Sequence, residues 1–239
     1  MNLRTLFLLA FCLSMAVALR AAEEPVPTPL DGETLLTTAD AEKVLHELPA
    51  FKNPQPLKAR IKTEVDDLLG SRSDEGVLLL DRPARVLRKF TKPSLKVWLL
   101  DGTKIQEYAA KSKMLYVKDF SQAPRALKLI QAAFTGDVKT LKEIFDVYTF
   151  KSSKDGKDMY RFVLNRKTGS SGGIYRRIQA RLLGEALFFH EIEYVPDAGD
   201  KVIERYLEIS AVEKPSDADF ALDVPADVTR KNETIKGAE

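Results

Sequence analysis

Residues 76–108, GVLLLDRPARVLRKFTKPSLKVWLLDGTKIQEY, decide the fold of this chain. Leucine, β-branched and aromatic residues come there in short runs, which are separated by Pro83, Pro93 and the pair Asp101-Gly102. Prolines and Asp-Gly pairs favour turns between strands. The pattern therefore predicts four short strands, of which the last two form an antiparallel hairpin around the Asp-Gly turn.

The third of these strands is apolar on both faces. Trp98 and Leu100 point to one side of it. Val97 and Leu99 point to the other, because side chains alternate along a strand. Residues 58–66, by contrast, alternate charged with uncharged side chains, so one face of that strand is wet. A strand that is apolar on both faces needs a cover on each side, which suits a curved sheet around a helix or a barrel wall.

The chain divides into four predicted segments. Residues 1–22 form a secretory signal peptide, which is cleaved at a site between Ala18 and Ala22. Residues 23–33 form a proline-containing extended leader, residues 34–229 form a single domain, and residues 230–239 form a frayed polar tail. The apolar part of the signal is shorter than the roughly 20 residues that span a bilayer. We therefore expect a periplasmic protein.

Composition argues against several classes of function. The 37 basic and 35 acidic residues leave a net charge of +2, so no overall field favours nucleic acid. Cys12, the single cysteine, lies inside the predicted signal, and bulky Phe11 before it argues against lipid attachment. The mature chain then has no disulfide, cysteine ligand or cysteine nucleophile. We expect no nucleic-acid partner, no cofactor, no metal, and a monomer.

Helices are predicted in two regions. The first helix is capped by Thr37 or Thr38 and ends before Pro49. The second, at 124–134, is apolar around most of its circumference, and Asp137 can cap a short helix after it. Further strands are expected at about 58–66, 114–117, 146–152, 158–166, 174–182, 186–196, 200–212 and 219–224. About eleven strands in one antiparallel order, with these helices, predict a single α+β domain with a barrel-like sheet.

The central stretch resembles the core of the LolA-like periplasmic carriers of outer-membrane lipoproteins. The resemblance lies in Arg82-Pro83, the aliphatic run into Asp101-Gly102 and Tyr108, and it resumes at Gly136-Asp137. It extends from the first helix to Pro225. It implies an incomplete antiparallel β-barrel of the LolA/LolB type, in which an apolar cavity under a helical lid holds the acyl chains of lipoproteins.

Arg82 is the residue singled out. Its phase points it with apolar side chains, where an unpaired guanidinium is costly. The plainer interpretation is a hydrogen bond from the barrel rim to a loop carbonyl. The resemblance implies instead a contact with the lid helix. The lid-helix residues are Leu127, Ile130 and Phe134, and the predicted cavity lining is Leu78, Leu80, Val86, Phe90, Trp98, Leu100, Tyr160, Phe162, Leu164 and Ile178.

Two departures from the family pattern leave the cargo open. The family's first strand usually carries aromatic residues and a glutamine where this chain has Ile61 and Thr63. An aromatic is common near Arg88, and an arginine in cavity phase reduces the apolar lining or favours a headgroup. Relatives with this fold also bind glycolipids or sense lipoproteins in stress signalling.

The hairpin at 159–182 predicts one apolar and one basic face. Pairing around Ser170 places Arg161, Asn165, Tyr175, Arg177, Gln179 and Arg181 on the basic face. That face is either simply solvated or meets an acidic partner or lipid headgroups.

Catalytic signals are weak. His46 and His190 are the only histidines, and Glu191 and Glu193 share a strand face through alternation alone. An enzyme would require His190 and these two carboxylates to converge in a cleft. We therefore expect a non-enzymatic carrier that receives lipoproteins from an inner-membrane release transporter and passes them to an outer-membrane acceptor. The alternatives are a lipid-sensing or lipoprotein-sensing regulatory or structural module whose interior is filled, or a glycolipid carrier.

Overall fold

The computed structural model describes residues 25–52, 54–67, 70–168, 170, 175–198 and 200–236. The predicted signal peptide with Cys12 lies outside them. The strands are β1 (Thr34–Leu35), β2 (Leu57–Asp67), β3 (Gly70–Asp81), β4 (Arg85–Lys92), β5 (Lys96–Asp101), β6 (Lys104–Ala109), β7 (Met114–Asp119), β8 (Phe145–Lys154), β9 (Lys157–Arg166), β10 (Tyr175–Leu183), β11 (Glu191–Pro196), β12 (Val202–Ala211) and β13 (Thr229–Thr234). The helices are α1 (Thr38–Glu47), α2 (Pro49–Lys52), α3 (Pro124–Thr135) and α4 (Val138–Leu141), with a 3₁₀ turn at Asp217–Phe220.

All the described strands belong to one open sheet. Its order is β1-β8-β9-β10-β11-β12-β2-β3-β4-β5-β6-β7-β13, so β1 and β13 are the edges. Neighbours pair antiparallel except β13, which runs parallel to β7. The predicted incomplete barrel is confirmed, although the described strands number thirteen and the order is mixed.

The predicted helices α1, α3 and α4 lie where the sequence places them, whereas α2, which begins at Pro49, was not predicted. Thr37 caps α1 by accepting a hydrogen bond from the Asp40 N–H, and Asp137 caps α4 through the Thr140 N–H. Gly136 ends α3 in the left-handed conformation, which glycine adopts without steric cost. None of the described helices is long and apolar enough to cross a membrane.

The two-sided strand β5 has the two covers that its sequence requires. Trp98 and Leu100 join a large concave cluster with residues of all four helices. Val97 and Leu99 join a smaller convex cluster, which includes Phe220 from the C-terminal segment. Burial on both faces makes this strand a shared wall between two cores.

The C-terminal segment differs from the prediction. Residues 219–224, predicted as a strand, form the end of the 3₁₀ turn and an irregular segment. Phe220, Leu222 and Val224 alternate because they pack on the convex cluster, not because the segment joins the sheet. The residues predicted as a frayed tail instead contribute β13, whose side chains are all exposed. Here the alternation of apolar residues indicated which side chains are buried, but not that the segment pairs with a strand.

Two further strand predictions need correction. Within the predicted strand 186–196 the strand comprises only Glu191–Pro196, and Phe188 and Phe189 before it turn into the concave cluster. Tyr175, assigned to the basic face, also lies in the concave cluster. A register shift between Tyr175 and Arg177 reverses the expected alternation at this strand start.

Candidate functional site

The predicted lining residues meet on the concave face. Nine of the ten are buried members of the concave cluster, and Ile178 packs against it partly buried. Ile130 of α3 is buried in the same cluster, and Leu127 and Phe134 pack against it. These residues therefore share one packed face of the sheet. In this structure the face is filled by its own side chains, so a cavity for a guest stays a prediction.

Aromatic side chains carry much of this packing. Phe51 of α2 lies 5.8 Å from Phe189 and 6.4 Å from Phe162, measured between ring centroids. An added Cβ at Gly136 would lie 2.4 Å from the Phe51 ring, so the end of α3 rests directly on α2. Phe134 of α3 lies 6.2 Å from Trp98 on the sheet. Helices α2 and α3 together form the cover over this part of the face.

Arg82 holds the cover to the rim of the sheet through backbone carbonyls. The plainer interpretation of the sequence was a hydrogen bond of this kind. Its guanidinium donates to the Ala50 carbonyl of α2 and, at 3.1 Å, to the Leu187 carbonyl in the β10–β11 loop. It also lies 5.3 Å from the Phe188 ring centroid. The carbonyls that accept from Arg82 thus belong to α2 and the β10–β11 loop, whereas the resemblance implied a contact with α3. We call Arg82, Ala50 and Leu187 the rim clasp.

A buried polar group lies in the middle of the concave cluster. Arg88 of β4 forms an ion pair with Glu204 of β12, and their side chains are 2% and 0% exposed. The other carboxylate oxygen, Oε2, accepts hydrogen bonds from the Tyr206 hydroxyl at 2.6 Å and the Tyr194 hydroxyl at 3.3 Å. We call these four residues the central cluster.

Sequence reasoning noticed Arg88 but missed its partner. Glu204 alternates in phase with Tyr206, and this was the available signal that it points inward. Charged neighbours such as Arg205 and Glu208 concealed it. Gly76 of β3 also faces inward, and an added Cβ there would lie 2.1 Å from the Lys89 carbonyl oxygen. A residue without a side chain at this point avoids that clash where β3 and β4 approach closely.

The pKa values of Arg82 and Arg88 are shifted in opposite directions. Burial without a carboxylate partner lowers the pKa of Arg82 to about 10. Burial also opposes the charge on Arg88, but the Glu204 carboxylate outweighs it and raises the pKa of Arg88. Burial first, and the same carboxylate second, raise the pKa of the Tyr194 and Tyr206 hydroxyls well above the usual range. Both phenols are therefore hydrogen-bond donors at neutral pH.

Two clefts open at the margin of the concave face. One, of about 440 Å³, lies between α1 and the β8–β9 and β10–β11 turns, with Val44, Leu48 and Tyr160 among its walls. The other, of about 290 Å³, lies between α1, α4 and the β8 edge. The first reaches the core through Leu48 and Tyr160, which are buried members of the concave cluster. It marks the side of the cover where the core lies nearest the surface.

The candidate catalytic residues do not converge in either cleft. Glu191 bonds to Arg181 and Arg205, and Glu193 pairs with Lys201 at 3.3 Å and Arg177 at 3.9 Å. These pairs neutralise the predicted basic face. Within the described part of the chain, no group of three or more His, Cys, Asp or Glu side chains is placed to hold a metal ion.

No protein-family model and no curated protein matches this chain. Among solved structures it is similar to an uncharacterized conserved protein from Thermus thermophilus, with a TM-score of 0.50 and 10% identity over 81% of this chain and 99% of that one. It is also similar to a LolA superfamily protein from Nitrosomonas europaea, with a TM-score of 0.41 and 11% identity over 76% and 97% of the two chains. A putative outer membrane lipoprotein-sorting protein domain from Vibrio parahaemolyticus gives a TM-score of 0.43 and 12% identity over 75% and 94%.

At these identities the likeness concerns the fold alone. That fold is the one that the resemblance of residues 76–108 predicts, an open curved sheet with helices on its concave face. Binding and transport have to be argued from this chain's own residues.

Proposed function

We propose that this chain binds acyl chains on its concave face, without catalysis, when α2 and α3 move away from the sheet. The observation that carries the proposal is the nature of the cover. One wide apolar face of a single sheet is closed by short helices, whereas the strands are joined by continuous backbone ladders. Side-chain packing and the rim clasp hold these helices, so they can leave while the sheet stays intact.

The guest would supply the free energy that keeps the site open. Each methylene group removed from water contributes about 0.8 kcal/mol. A long acyl chain can therefore offset several lost contacts between the cover and the sheet. Because side chains of the chain itself pack on the concave face, binding requires a shift of the population toward an open state.

We further propose that the acyl chains belong to lipoproteins crossing the periplasm, received from an inner-membrane release transporter and passed to an outer-membrane acceptor. The predicted signal peptide and the resemblance of residues 76–108 to the carriers support this step. A glycolipid is the alternative cargo, since the apolar floor alone does not distinguish between acyl chains of different origin.

Trp98 offers a direct test, because it is the single tryptophan and lies under α3. A brominated acyl chain that enters the concave face should quench its fluorescence, and an unbrominated chain should not. As a matched control, W98F combined with Y108W moves the indole to the convex cluster. We expect quenching in the wild type and none in this control.

Lipid extracted from protein purified from the periplasm and identified by mass spectrometry tests the cargo. We expect acylated lipoprotein or its acyl chains to copurify. A folded protein that carries no lipid, and whose Trp98 is not quenched at saturating brominated chain, would exclude the carrier proposal.

A filled binding module is the second candidate, and the central cluster favours it. An ion pair with two tyrosine hydroxyls occupies space that a wholly apolar guest would need. In that case the helices would stay closed and the outer surface would bind a regulatory partner. Unquenched Trp98 together with unchanged hydrogen exchange in α3 on adding lipid would support this module over the carrier.

A further inference from the structure

The central cluster is built like a carboxylate-binding site whose occupant is the chain's own Glu204. Arg88 meets one carboxylate oxygen, and the Tyr194 and Tyr206 hydroxyls meet the other. Charge-assisted hydrogen bonds from arginine are among the strongest that a carboxylate can make. All the donors come from rigid strands, namely β4, β11 and β12, so the site persists whatever fills it.

The site has bonding capacity that Glu204 leaves unused. Within the described residues, the Nε of Arg88 and the hydroxyl of Thr63 are buried without hydrogen-bond partners. Thr63 pairs directly with Glu204 across β2 and β12, so its hydroxyl lies beside the carboxylate. Buried polar atoms of this kind are costly unless something bonds to them. They are donors around Arg88 that a further acceptor could satisfy once the face opens.

The position of the cluster connects it with the cover. Trp98 lies directly opposite Arg88 in the β4–β5 pairing, and its ring contacts Phe134 of α3. An anion held at Arg88 would therefore have the predicted acyl floor beside it, beneath the helix that must move. Carboxylate and chain would occupy neighbouring parts of one site.

We propose that the guest is a carboxylate amphiphile of the fatty-acid class, whose carboxylate replaces that of Glu204 on Arg88 when the cover opens. This inference rests on the proposed binding of acyl chains, since the chain enters the same concave face. It is an alternative to the lipoprotein cargo, because the acyl chains of a lipoprotein are ester- or amide-linked and carry no free carboxylate. One ion pair replaces another, so the buried guanidinium keeps a counter-ion throughout. Opening admits water to the face, which solvates the displaced Glu204 side chain. Glu204 thus closes the empty site and sets its selectivity.

The test compares ω-bromoundecanoate with its methyl ester, using quenching of Trp98. The two ligands share a tail and differ in charge. We expect the wild type to bind the carboxylate roughly tenfold or more tightly than the ester, because only the carboxylate pairs with Arg88. E204Q removes the internal competitor and should strengthen carboxylate binding by about a further tenfold. R88Q/E204Q, which keeps two polar side chains without either charge, should bind both ligands equally.

The outcomes separate this inference from the proposed function. Equal binding of acid and ester by the wild type would overturn the carboxylate site and leave acyl binding intact. Binding of neither ligand would overturn both. If R88Q/E204Q fails to fold, the melting temperature of the wild type decides: undecanoate should raise it more than methyl undecanoate does. Equal stabilisation by acetate would show a site for small anions without a role for the tail, and would also overturn the proposal.

Discussion

The rim clasp and the central cluster each compensate the charge of an arginine that is removed from solvent, but with different partners. Each contains an arginine removed from most of the solvent, Arg82 partly buried and Arg88 fully buried, and the two lie six positions apart around one turn. Arg82 is satisfied by carbonyl oxygens of α2 and a loop, with no carboxylate hydrogen-bonded to it in the described residues. Arg88 is paired with a buried carboxylate on a strand of the same sheet. One arginine holds a separable part to the sheet, and the other joins two parts that stay together.

The difference predicts which contacts break first. A carbonyl that leaves Arg82 can be replaced by water at the rim, so opening there leaves no buried charge without compensation. Breaking the pair of Arg88 and Glu204 while the core is closed would leave two such charges. The rim clasp therefore suits a moving contact. The central cluster suits a fixed one, which exchanges its partner only after the cover has opened.

Removing Arg88 alone should have the largest effect. R88M leaves the Glu204 carboxylate buried without a counter-ion, and loss of one partner of a buried pair typically costs about 3–5 kcal/mol. The free energy of unfolding, measured by urea denaturation, should fall by this amount. The control R88M/E204L removes both charges and should recover most of the loss, because apolar pairs of similar volume often replace buried ion pairs without cost.

A small loss in R88M would contradict this account. If its unfolding free energy stayed within about 1 kcal/mol of the wild type, the centre of the sheet would tolerate an unpaired carboxylate. The contrast between a fixed centre and a movable rim would then have no energetic basis.

Removing Arg82 should have a smaller and more local effect. R82L loses two hydrogen bonds from a charged donor, and we expect a loss of about 1–3 kcal/mol. Hydrogen exchange should quicken in α2 and the β10–β11 loop, where the acceptors lie, and the cover should close less firmly. R82K is the charge-matched control: it keeps the positive charge, but one ammonium group does not reproduce the planar fork that reaches both carbonyls. Faster exchange confined to α3 would show that the clasp acts elsewhere.

The sequence predicts a great deal of the concave face. Phase grouped Leu78, Leu80 and Val86 on one side and, separately, Trp98 with Leu100, because side chains alternate along a strand. The structure packs both groups in the concave cluster. Phase also showed that Arg82 needed a partner. It did not name Ala50, since a backbone carbonyl carries no sequence signal.

Long-range pairing accounts for what the sequence did not predict. Glu204 meets Arg88 only because β12 pairs with β2, which brings the end of the chain beside its beginning. Nothing local in the β12 sequence specifies that neighbour. Tyr175 was misplaced because one register shift reverses the side-chain alternation, and Phe220 because packing on a convex core imitates a strand pattern.

Arg161 extends the comparison to the outer face and should give the smallest effect. Its side chain is 6% exposed because the leader covers it: Glu33 accepts its Nε at 2.8 Å, and the Thr28 carbonyl accepts another donor at 3.1 Å. Here a carboxylate partner sits on a separable segment. The leader contact is therefore an ion pair, like that of Arg88 and Glu204, but it holds a separable segment, as the rim clasp does. A change of pH should release the leader.

The sign of that pH dependence follows from Glu33. Burial raises its pKa, but the hydrogen bonds from Arg161 and the Leu30 N–H outweigh burial and bring it below the usual value. The contact is therefore complete above about pH 4.3, the value for an unfolded glutamate, and is lost as the pH falls through the lower folded value. Amide protection of residues 25–33 should drop across that range while protection of β9 persists. E33Q should show weak protection of the leader at neutral pH and no further loss in acid. Equal pH dependence of leader protection in E33Q and the wild type would mean that another group holds the leader. The ion pair of Arg161 and Glu33 would then not be its anchor.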